Sequence, residues 1–163
     1  MVKIGLLSDT HGYFDPGLVE FFKECDEIWH AGDIGPYEVI ELIRKNWPLK
    51  AVYGNIDNQD VRKEFPKNQR FLCEGLDVWI THIGGYPKKY DPQVKQSLKN
   101  NPPGLFICGH SHILKVIYDH EFNLLHINPG AAGKFGLHQV RTAIRFNIDD
   151  GKVKDLEIIE LRE

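Results

Sequence analysis

Three short apolar segments alternate with two helical patterns in the first third of the chain, and this alternation constrains the fold more than any other feature. The apolar segments are predicted to be buried strands at residues 2–7, 27–31 and 49–53. Between them, helices are predicted to begin near Pro16 and Pro36, where apolar residues take helical spacing. This β-α-β-α-β order indicates a parallel sheet with right-handed crossovers.

The second half of the chain is dominated by strand-like segments separated by turn residues. Its predicted strands are residues 70–73, 78–82, 105–108, 114–119, 124–128, 142–148 and 156–161. One helix is predicted there, at residues 92–99, and Asp149-Asp150-Gly151 favours a hairpin before the last strand. We expect this half to be largely antiparallel. Because the sequence contains no repeat, linker or low-complexity segment, we expect a single domain over residues 1–163.

Composition excludes several classes of function. The chain has 163 residues, a formal net charge of −3 and scattered lysines and arginines, so broad nucleic-acid binding is not expected. No apolar segment is long enough to span a membrane, and three cysteines without paired spacing do not suggest an oxidising compartment. We therefore expect a cytoplasmic protein with no membrane association. The one unusual feature of the composition is its eight histidines.

Polar residues with oxygen or imidazole ligands follow the predicted strands repeatedly. These residues are Asp9, His11, Asp33, Asn55, Asp57, His82, His110 and His112. Each motif alone has an ordinary explanation, as a turn, a surface histidine or a hydrogen-bonded core histidine. Because the carboxyl ends of parallel strands meet at one edge of a sheet, the recurrence favours a shared metal site. Carboxylate, imidazole and amide ligands without thiolate suit Mn²⁺, Fe²⁺, Zn²⁺ or Co²⁺, and their number favours two ions.

Read in order, these motifs resemble those of a known family. Asp9-x-His11, Gly32-Asp33, Gly54-Asn55, His82 and Gly109-His110-x-His112 are similar to the motifs of the calcineurin-like metallophosphoesterase superfamily, and most similar to its small YfcE-type phosphodiesterase branch. Asn128-Pro129-Gly130 extends the resemblance late into the chain. The resemblance implies an α/β fold, a four-layer sandwich of two mixed β-sheets flanked by helices.

The resemblance also implies a role for each motif residue. It assigns Asp9, His11 and His112 to one metal ion, and Asn55, His82 and His110 to a second ion, with Asp33 bridging the two. The implied cofactors are two divalent cations, with Mn²⁺ as first choice and Fe, Zn, Ni or Co as alternatives. The implied reaction is hydrolysis of a small phosphate ester, especially a diester, by a metal-bridging hydroxide, with Asp33, Asn55 and His11 as catalytic residues.

Two departures from the family pattern modify these expectations. Ile56 stands where the larger superfamily commonly has a histidine thought to protonate the leaving group, so we expect a preference for esters with good leaving groups. In His82-Ile83-Gly84-Gly85, glycine does not directly follow the histidine, so the loop carrying His82 could be displaced and the second metal weaker. Asp57 is expected to orient Asn55 or a ligand histidine.

The main alternative is a non-catalytic, protein-binding scaffold, because the retromer subunit Vps29 resembles this fold. A nuclease is a weaker alternative, and a homo-oligomer is compatible with the sequence. Structural roles are expected for His30 and His126, solvent exposure for His120, and His138 has no assigned role.

Overall fold

The computed structural model describes residues 1–162, which form twelve strands and four helices. In chain order these are β1 (Val2–Leu7), α1 (Gly17–Phe21), β2 (Glu27–His30), α2 (Glu38–Arg44), β3 (Leu49–Ala51), α3 (Gln59–Glu64), β4 (Asn68–Cys73), β5 (Leu76–Thr81), β6 (Gly85–Tyr86), β7 (Lys89–Tyr90), α4 (Pro92–Asn100), β8 (Leu105–Ile107), β9 (Lys115–Asp119), β10 (Leu124–Asn128), β11 (Arg141–Asp149) and β12 (Lys152–Leu161).

The first sheet contains five strands in the order β12-β11-β1-β2-β3. Its β1, β2 and β3 run parallel, which confirms the parallel sheet predicted from the β-α-β-α-β order of the first third of the chain. The late strand β11 pairs antiparallel with β1, and β12 then forms a hairpin with β11 across the predicted turn.

The second sheet also has five strands, in the order β4-β5-β8-β10-β9. Its edges are antiparallel, but the central strands β5, β8 and β10 are parallel. The expectation of a largely antiparallel second half is therefore wrong at the centre of this sheet. Helix α4 lies between β5 and β8 in the chain and returns it to the same edge, which makes β8 parallel to β5.

Three further elements, one helix and two short strands, lie outside the sequence prediction. Helix α3 is short and has one buried apolar side chain, Val61, so it lacks the repeated apolar spacing of a helix; Asn58 caps it through a bond from the Val61 N–H to Oδ1 (3.2 Å). Strands β6 and β7 have two residues each and form a small separate hairpin.

The hydrophobic core falls into three clusters that define four layers. The sheets pack face to face through a cluster of apolar side chains: Ile4, Leu6, Trp29, Val52, Val78, Ile80, Leu105, Ile107, Ile127, Ile144, Phe146 and Ile148. Helices α1 to α3 cover the outer face of the first sheet through a second cluster, which includes Leu18, Ile40 and Val61. Helix α4 packs on the outer face of the second sheet through Val94 and Leu98. The four-layer α/β sandwich of two mixed sheets is thus confirmed.

The layering brings strand ends from both sheets together. The loops after β1, β2 and β3 meet the loops after β5 and β8, and the predicted polar residues lie in these loops. Over residues 1–162, none of the helices combines the length and apolarity that crossing a membrane requires.

Candidate metal centre

The structure brings six of the predicted ligands together as two neighbouring groups. The first group consists of Asp9, His11 and His112, and the second group consists of Asp33, His82 and His110. Within each group the three potential ligand atoms lie within 4.8 Å of one another. Each group draws residues from both sheets, because Asp9, His11 and Asp33 follow strands of the first sheet while the other histidines follow strands of the second.

Asp9 is the anchor of the first group. It is fully buried, and its Oδ2 atom accepts hydrogen bonds from the Ser8 hydroxyl (2.6 Å) and the His110 backbone N–H (3.1 Å). These bonds leave Oδ1 facing the imidazoles, 3.2 Å from His112 Nε2 and 3.8 Å from His11 Nε2. One carboxylate oxygen is thus held by the protein while the other points into the site.

Asp33 contacts both groups. Its Oδ2 atom lies 3.2 Å from His82 Nε2 in the second group and 3.5 Å from His11 Nε2 in the first. Its Oδ1 atom accepts the backbone N–H of Ile56 (3.1 Å), which orients the carboxylate. This is the geometry expected of a carboxylate shared between two cations.

The seventh predicted ligand, Asn55, adjoins the second group from the loop after β3. Its Oδ1 atom lies 3.1 Å from His110 Nδ1, and both side chains are exposed to solvent. All seven residues that the sequence singled out as ligands are therefore assembled at one edge of the sandwich.

Three buried polar atoms in these groups lack a hydrogen-bond partner among the described residues: Asp9 Oδ1, His11 Nε2 and His82 Nε2. Buried polar atoms are nearly always paired, and leaving one unpaired costs about 1–3 kcal/mol. Since all three converge on the same space, cations ligated by carboxylate and imidazole would satisfy them together. The residues present therefore fit a two-cation site.

A hydrogen bond to a backbone carbonyl sets the orientation of His82. Its Nδ1 lies 2.7 Å from the carbonyl oxygen of Ala31, and because a carbonyl can only accept, Nδ1 carries the proton. In the neutral ring the lone pair is then on Nε2, the atom that faces Asp33. The unusual spacing of His82-Ile83-Gly84-Gly85 does not displace His82 from the group.

His138, which was assigned no role from the sequence, orients His112 in the same way. His138 Nε2 lies 2.8 Å from the Gly133 carbonyl oxygen and must donate to it. In a neutral imidazole Nδ1 is then an acceptor, and it lies 3.1 Å from His112 Nδ1. His112 therefore donates through Nδ1 and presents the lone pair of Nε2 to the first group. Only the fold of the loop after β10 reveals this contact.

The backbone of the site is held in an uncommon conformation. Five of the seven predicted ligands have positive φ angles: Asp9 (53°), His11 (45°), Asp33 (55°), His110 (72°) and His112 (63°). Such angles are found in only a few per cent of residues other than glycine, and they concentrate at functional sites. The surrounding fold thus holds these loops in the geometry that makes the side chains converge.

Two glycines allow the ligand loops to approach closely. A Cβ at Gly109 would overlap the Ser8 hydroxyl and lie 2.8 Å from Asp9 Oδ2, and a Cβ at Gly54 would overlap Asp33 Oδ1. Both positions require glycine because of this contact with the carboxylates.

Among residues 1–162, no ligand side chain forms a hydrogen bond with Asp57, contrary to expectation. Its carboxylate instead accepts backbone N–H groups from Gly54 (2.8 Å), Gly35 (2.9 Å) and Ile34 (3.2 Å). Arg62 secures the same loop by donating to the carbonyl oxygens of Asp57 and Asn55. Asp57 therefore ties the loop of Asp33 to the loop of Asn55.

The remaining histidines differ in their environment. His30 is buried and links the two acidic loops, since its Nδ1 accepts the Gly32 N–H (3.1 Å) and its Nε2 lies 3.0 Å from the Thr10 hydroxyl. Burial lowers the pKa of His30 to about 3, so it is neutral at physiological pH. His120 is exposed, and His126 is buried.

The electrostatics of the site favour cation binding. Burial alone would raise the pKa of Asp9, but its interactions with His11 and His112 hold that pKa well below its usual range. The pKa of Asp33 is likewise lowered, because His82 outweighs the effect of burial. Asp9 in turn raises the pKa of His11. Both carboxylates are thus ionised at neutral pH.

A four-layer sandwich with paired Asp/His groups at the strand ends defines a metallophosphoesterase type of architecture, and comparison with known families agrees. Residues 2–151 match the model of the Calcineurin-like phosphoesterase superfamily domain. The chain therefore belongs to the calcineurin-like phosphoesterase superfamily. Together with its two candidate metal-binding groups, this membership classes the chain as a probable metallophosphoesterase.

Among relatives, a probable metallophosphoesterase of Mycoplasma pneumoniae is 29% identical over 163 residues, covering 96% of each chain. Among solved structures, an archaeal phosphodiesterase superposes with a TM-score of 0.75 at 23% identity, over 98% of this chain and 99% of that one. Wild-type Vps29 from Entamoeba histolytica, complexed with Zn²⁺, superposes with a TM-score of 0.74 at 15% identity, over 97% and 98%. At these sequence identities the two structures support the fold assignment alone.

Proposed function

We propose that this chain hydrolyses small phosphodiesters with the help of two divalent cations. The observation that carries this proposal is the pair of adjacent Asp/His groups joined by Asp33, with three buried polar atoms that have no hydrogen-bond partner among residues 1–162. The fold it shares with an archaeal phosphodiesterase is consistent with the proposal.

In this proposal Asp9, His11 and His112 hold one cation, and Asn55, His82 and His110 hold the other. Asp33 serves both, which is supported by the distances of 3.5 Å to His11 and 3.2 Å to His82 from the same oxygen. The ligand types contain no thiolate, so Mn²⁺ is our first choice, with Fe, Zn, Ni or Co as alternatives.

The chemistry depends on what the protein positions around the phosphate. When bound, two divalent cations would lower the pKa of water and neutralise phosphoryl oxygens, which is the usual basis of two-metal phosphate hydrolysis. The chain holds Asp33 in place through the Ile56 N–H, with His11 Nε2 3.5 Å from its Oδ2 atom and Asn55 beside His110. Its own contribution is therefore positioning and electrostatics rather than covalent catalysis.

Two grooves flank the centre, which favours a diester over a monoester. One groove, of about 380 Å³, is lined by Asn55 and His82 together with the basic side chains of Arg62 and Lys67. The other, of about 780 Å³, starts at His110 and His112. It continues along the exposed apolar side chains of Ile113, Leu137 and Val140. A phosphodiester has two ester arms, and each groove would take one.

The leaving group is expected to be a good one. Ile56 is 46% exposed beside Asp33, and its side chain has no proton to donate. A general acid typically contributes about 10²–10⁴-fold to rate, so without one at this position aryl esters should be hydrolysed faster than alkyl esters. His11 is the alternative donor in this proposal.

The alternative of a protein-binding scaffold is favoured by one observation, the similarity to Vps29 with Zn²⁺ bound, because metal binding alone does not imply turnover. Against it stands the completeness of the ligand set, since each of the seven positions carries a side chain able to bind a cation.

One experiment separates these functions. The metal-free protein is loaded with Mn²⁺, metal content is measured, and hydrolysis of bis(p-nitrophenyl) phosphate is compared with that of p-nitrophenyl phosphate. We expect two bound cations per chain, faster hydrolysis of the diester, and loss of activity on chelation. The Asp33→Asn variant should lose at least 10²-fold in rate, whereas Asp60→Asn, an exposed position on α3, should not change.

Bound cations without hydrolysis of either ester would leave the scaffold as the better explanation. Full activity in Asp33→Asn, or activity that survives complete metal removal, would contradict the proposed enzyme directly.

A further inference from the structure

A small cavity of about 230 Å³ lies beside the loop that carries His110 and His112. It is lined by residues from β6, β9 and β10 and by Ser111, which stands between the two histidines in sequence. None of the seven predicted metal ligands lines it. The cavity is therefore separate from the metal centre, although it shares a loop with it.

His126 is the most unusual residue in this cavity. It is fully buried in β10, and neither of its ring nitrogens has a hydrogen-bond partner among residues 1–162. Its nearest rings, Tyr90 and Phe106, contact it through aromatic faces and edges. Burial together with the nearby Lys115 lowers the pKa of His126 to about 4, so the ring is neutral at physiological pH and carries one N–H donor.

Ser111 supplies a second donor. Its Oγ atom accepts from Asn128 Nδ2 (3.1 Å) and from the backbone N–H of Ile113 (3.2 Å). Because both of these bonds are accepted, the hydroxyl proton is still available, and none of the described residues accepts it.

Among the described residues that line the cavity, Lys115 supplies the third donor and the only positive charge. Its Nζ lies over the ring of Tyr86, 4.8 Å from the centroid, and it forms no ion pair within the described chain. No acidic side chain of residues 1–162 lines the cavity. The nearby Asp119 is engaged elsewhere, by the Tyr90 hydroxyl (2.6 Å) and the Glu121 N–H (2.9 Å).

We propose that this cavity binds a small oxyanion, inorganic phosphate or the phosphoryl group of a larger ligand, through Lys115, Ser111 and the N–H of His126. Three donors without acceptors, one of them cationic, match an anion with several acceptor oxygens. A buried water would accept hydrogen bonds from only some of these donors and would not neutralise the charge of Lys115. The inference is independent of the phosphodiesterase activity, because the donors belong to no metal group.

The binding test is calorimetric titration of inorganic phosphate into the full chain, with the metals bound and after their removal by a chelator. Phosphate should bind in both states, so binding at the metal centre cannot account for it. Lys115→Met should weaken binding to the metal-free protein at least tenfold, and His126→Phe, which retains the ring packing, should do the same. Lys99→Met, at an exposed position on α4, is the control and should bind phosphate normally.

Absence of saturable phosphate binding by the metal-free protein would overturn the proposal, as would unchanged affinity in Lys115→Met. These results do not depend on turnover, so they are separable from failure of the proposed enzyme.

KM measurements distinguish the two sources of the anion, a phosphoryl group of the substrate and free phosphate. If the cavity holds a phosphoryl group of the substrate, Lys115→Met raises KM for a p-nitrophenyl diester whose other arm carries a second phosphoryl group, and leaves KM for bis(p-nitrophenyl) phosphate unchanged. If the cavity holds free phosphate, both KM values are unchanged, while the calorimetric effect persists.

Discussion

The Nδ1 atoms of His112 and His138 lie 3.1 Å apart, and the Gly133 carbonyl on the far side of His138 determines which of them carries the proton. The result is a relay of two hydrogen bonds that presents the Nε2 lone pair of His112 to Asp9. Residues that orient a metal ligand in this way commonly contribute 10–100-fold to metal affinity.

The first prediction concerns this relay. His138→Phe removes the acceptor for His112 while keeping a ring of similar size, so Mn²⁺ affinity measured by calorimetry should fall about 10–100-fold. His138→Gln, whose amide oxygen can accept the same proton, should recover part of the loss. His120→Phe, at an exposed position, serves as the control. Equal affinity in the Phe and Gln variants would show that packing, rather than the hydrogen bond, is responsible.

The second prediction concerns proton donation to the leaving group. Ile56 is exposed, so Ile56→His can be accommodated without disturbing the core. It should accelerate hydrolysis of an alkyl phosphodiester by about 10²-fold and change the p-nitrophenyl rate little. Ile56→Gln is similar in size but has no proton to give near neutral pH, and should accelerate neither. Wild-type protein that already hydrolyses alkyl and aryl esters at equal rates would refute the reasoning.

The third prediction tests the connection made by Asp57. Asp57→Ala leaves three backbone N–H groups without an acceptor, those of Ile34, Gly35 and Gly54, and should lower the free energy of unfolding by about 3 kcal/mol. Urea denaturation of the metal-free protein measures this effect. Asp60→Ala removes an exposed carboxylate from the start of α3 and should cost about 0.5 kcal/mol or less. Similar losses in the two variants would contradict the connecting role.

The fourth prediction is a pH dependence of stability. Asp15 Oδ2 lies 2.6 Å from Arg141 Nη1, and both side chains are largely buried. Burial alone would raise the pKa of Asp15, but the hydrogen bond from Arg141 lowers it below the unfolded value of about 3.9. The ion pair therefore contributes fully above about pH 5, and its contribution declines as the pH falls through the unfolded pKa towards the folded one.

Asp15→Asn should accordingly lower the free energy of unfolding by about 3 kcal/mol at pH 7. This gap between the free energies of unfolding of the wild type and the variant should narrow below about pH 4. Denaturant titrations across this range measure the gap. Glu20→Gln, which breaks an exposed ion pair with Lys23, should show no comparable gap at any pH. A gap that is constant down to pH 3 would mean that the charge of Asp15 is not what stabilises the fold.

The sequence was most informative where local pattern and topology agree. The strands before Asp9, Asp33 and Asn55 are apolar runs that end at polar residues, and parallel strands necessarily bring such ends together. The same reasoning failed at β8, because the direction of a central strand depends on how α4 crosses the sheet, and an apolar run reads alike in either direction.

Details of the site depended on contacts between distant loops. No local pattern indicates that His138 meets His112, that Asp57 reaches Gly35, or that His126 has no hydrogen-bond partner among the described residues. The positive φ angles of Asp9 and His11 are likewise imposed by the surrounding fold, since both residue types more often adopt negative φ.

Each group draws its ligands from both sheets, so a cation held by Asp9 and His112, or by Asp33 and His82, would cross-link the two sheets at the edge of the sandwich. A ligand that binds only the folded state raises its stability by an amount that grows with affinity and concentration. Melting temperature would then rank candidate metals for this chain without any substrate, and storage in chelating buffers would shorten the working life of the protein.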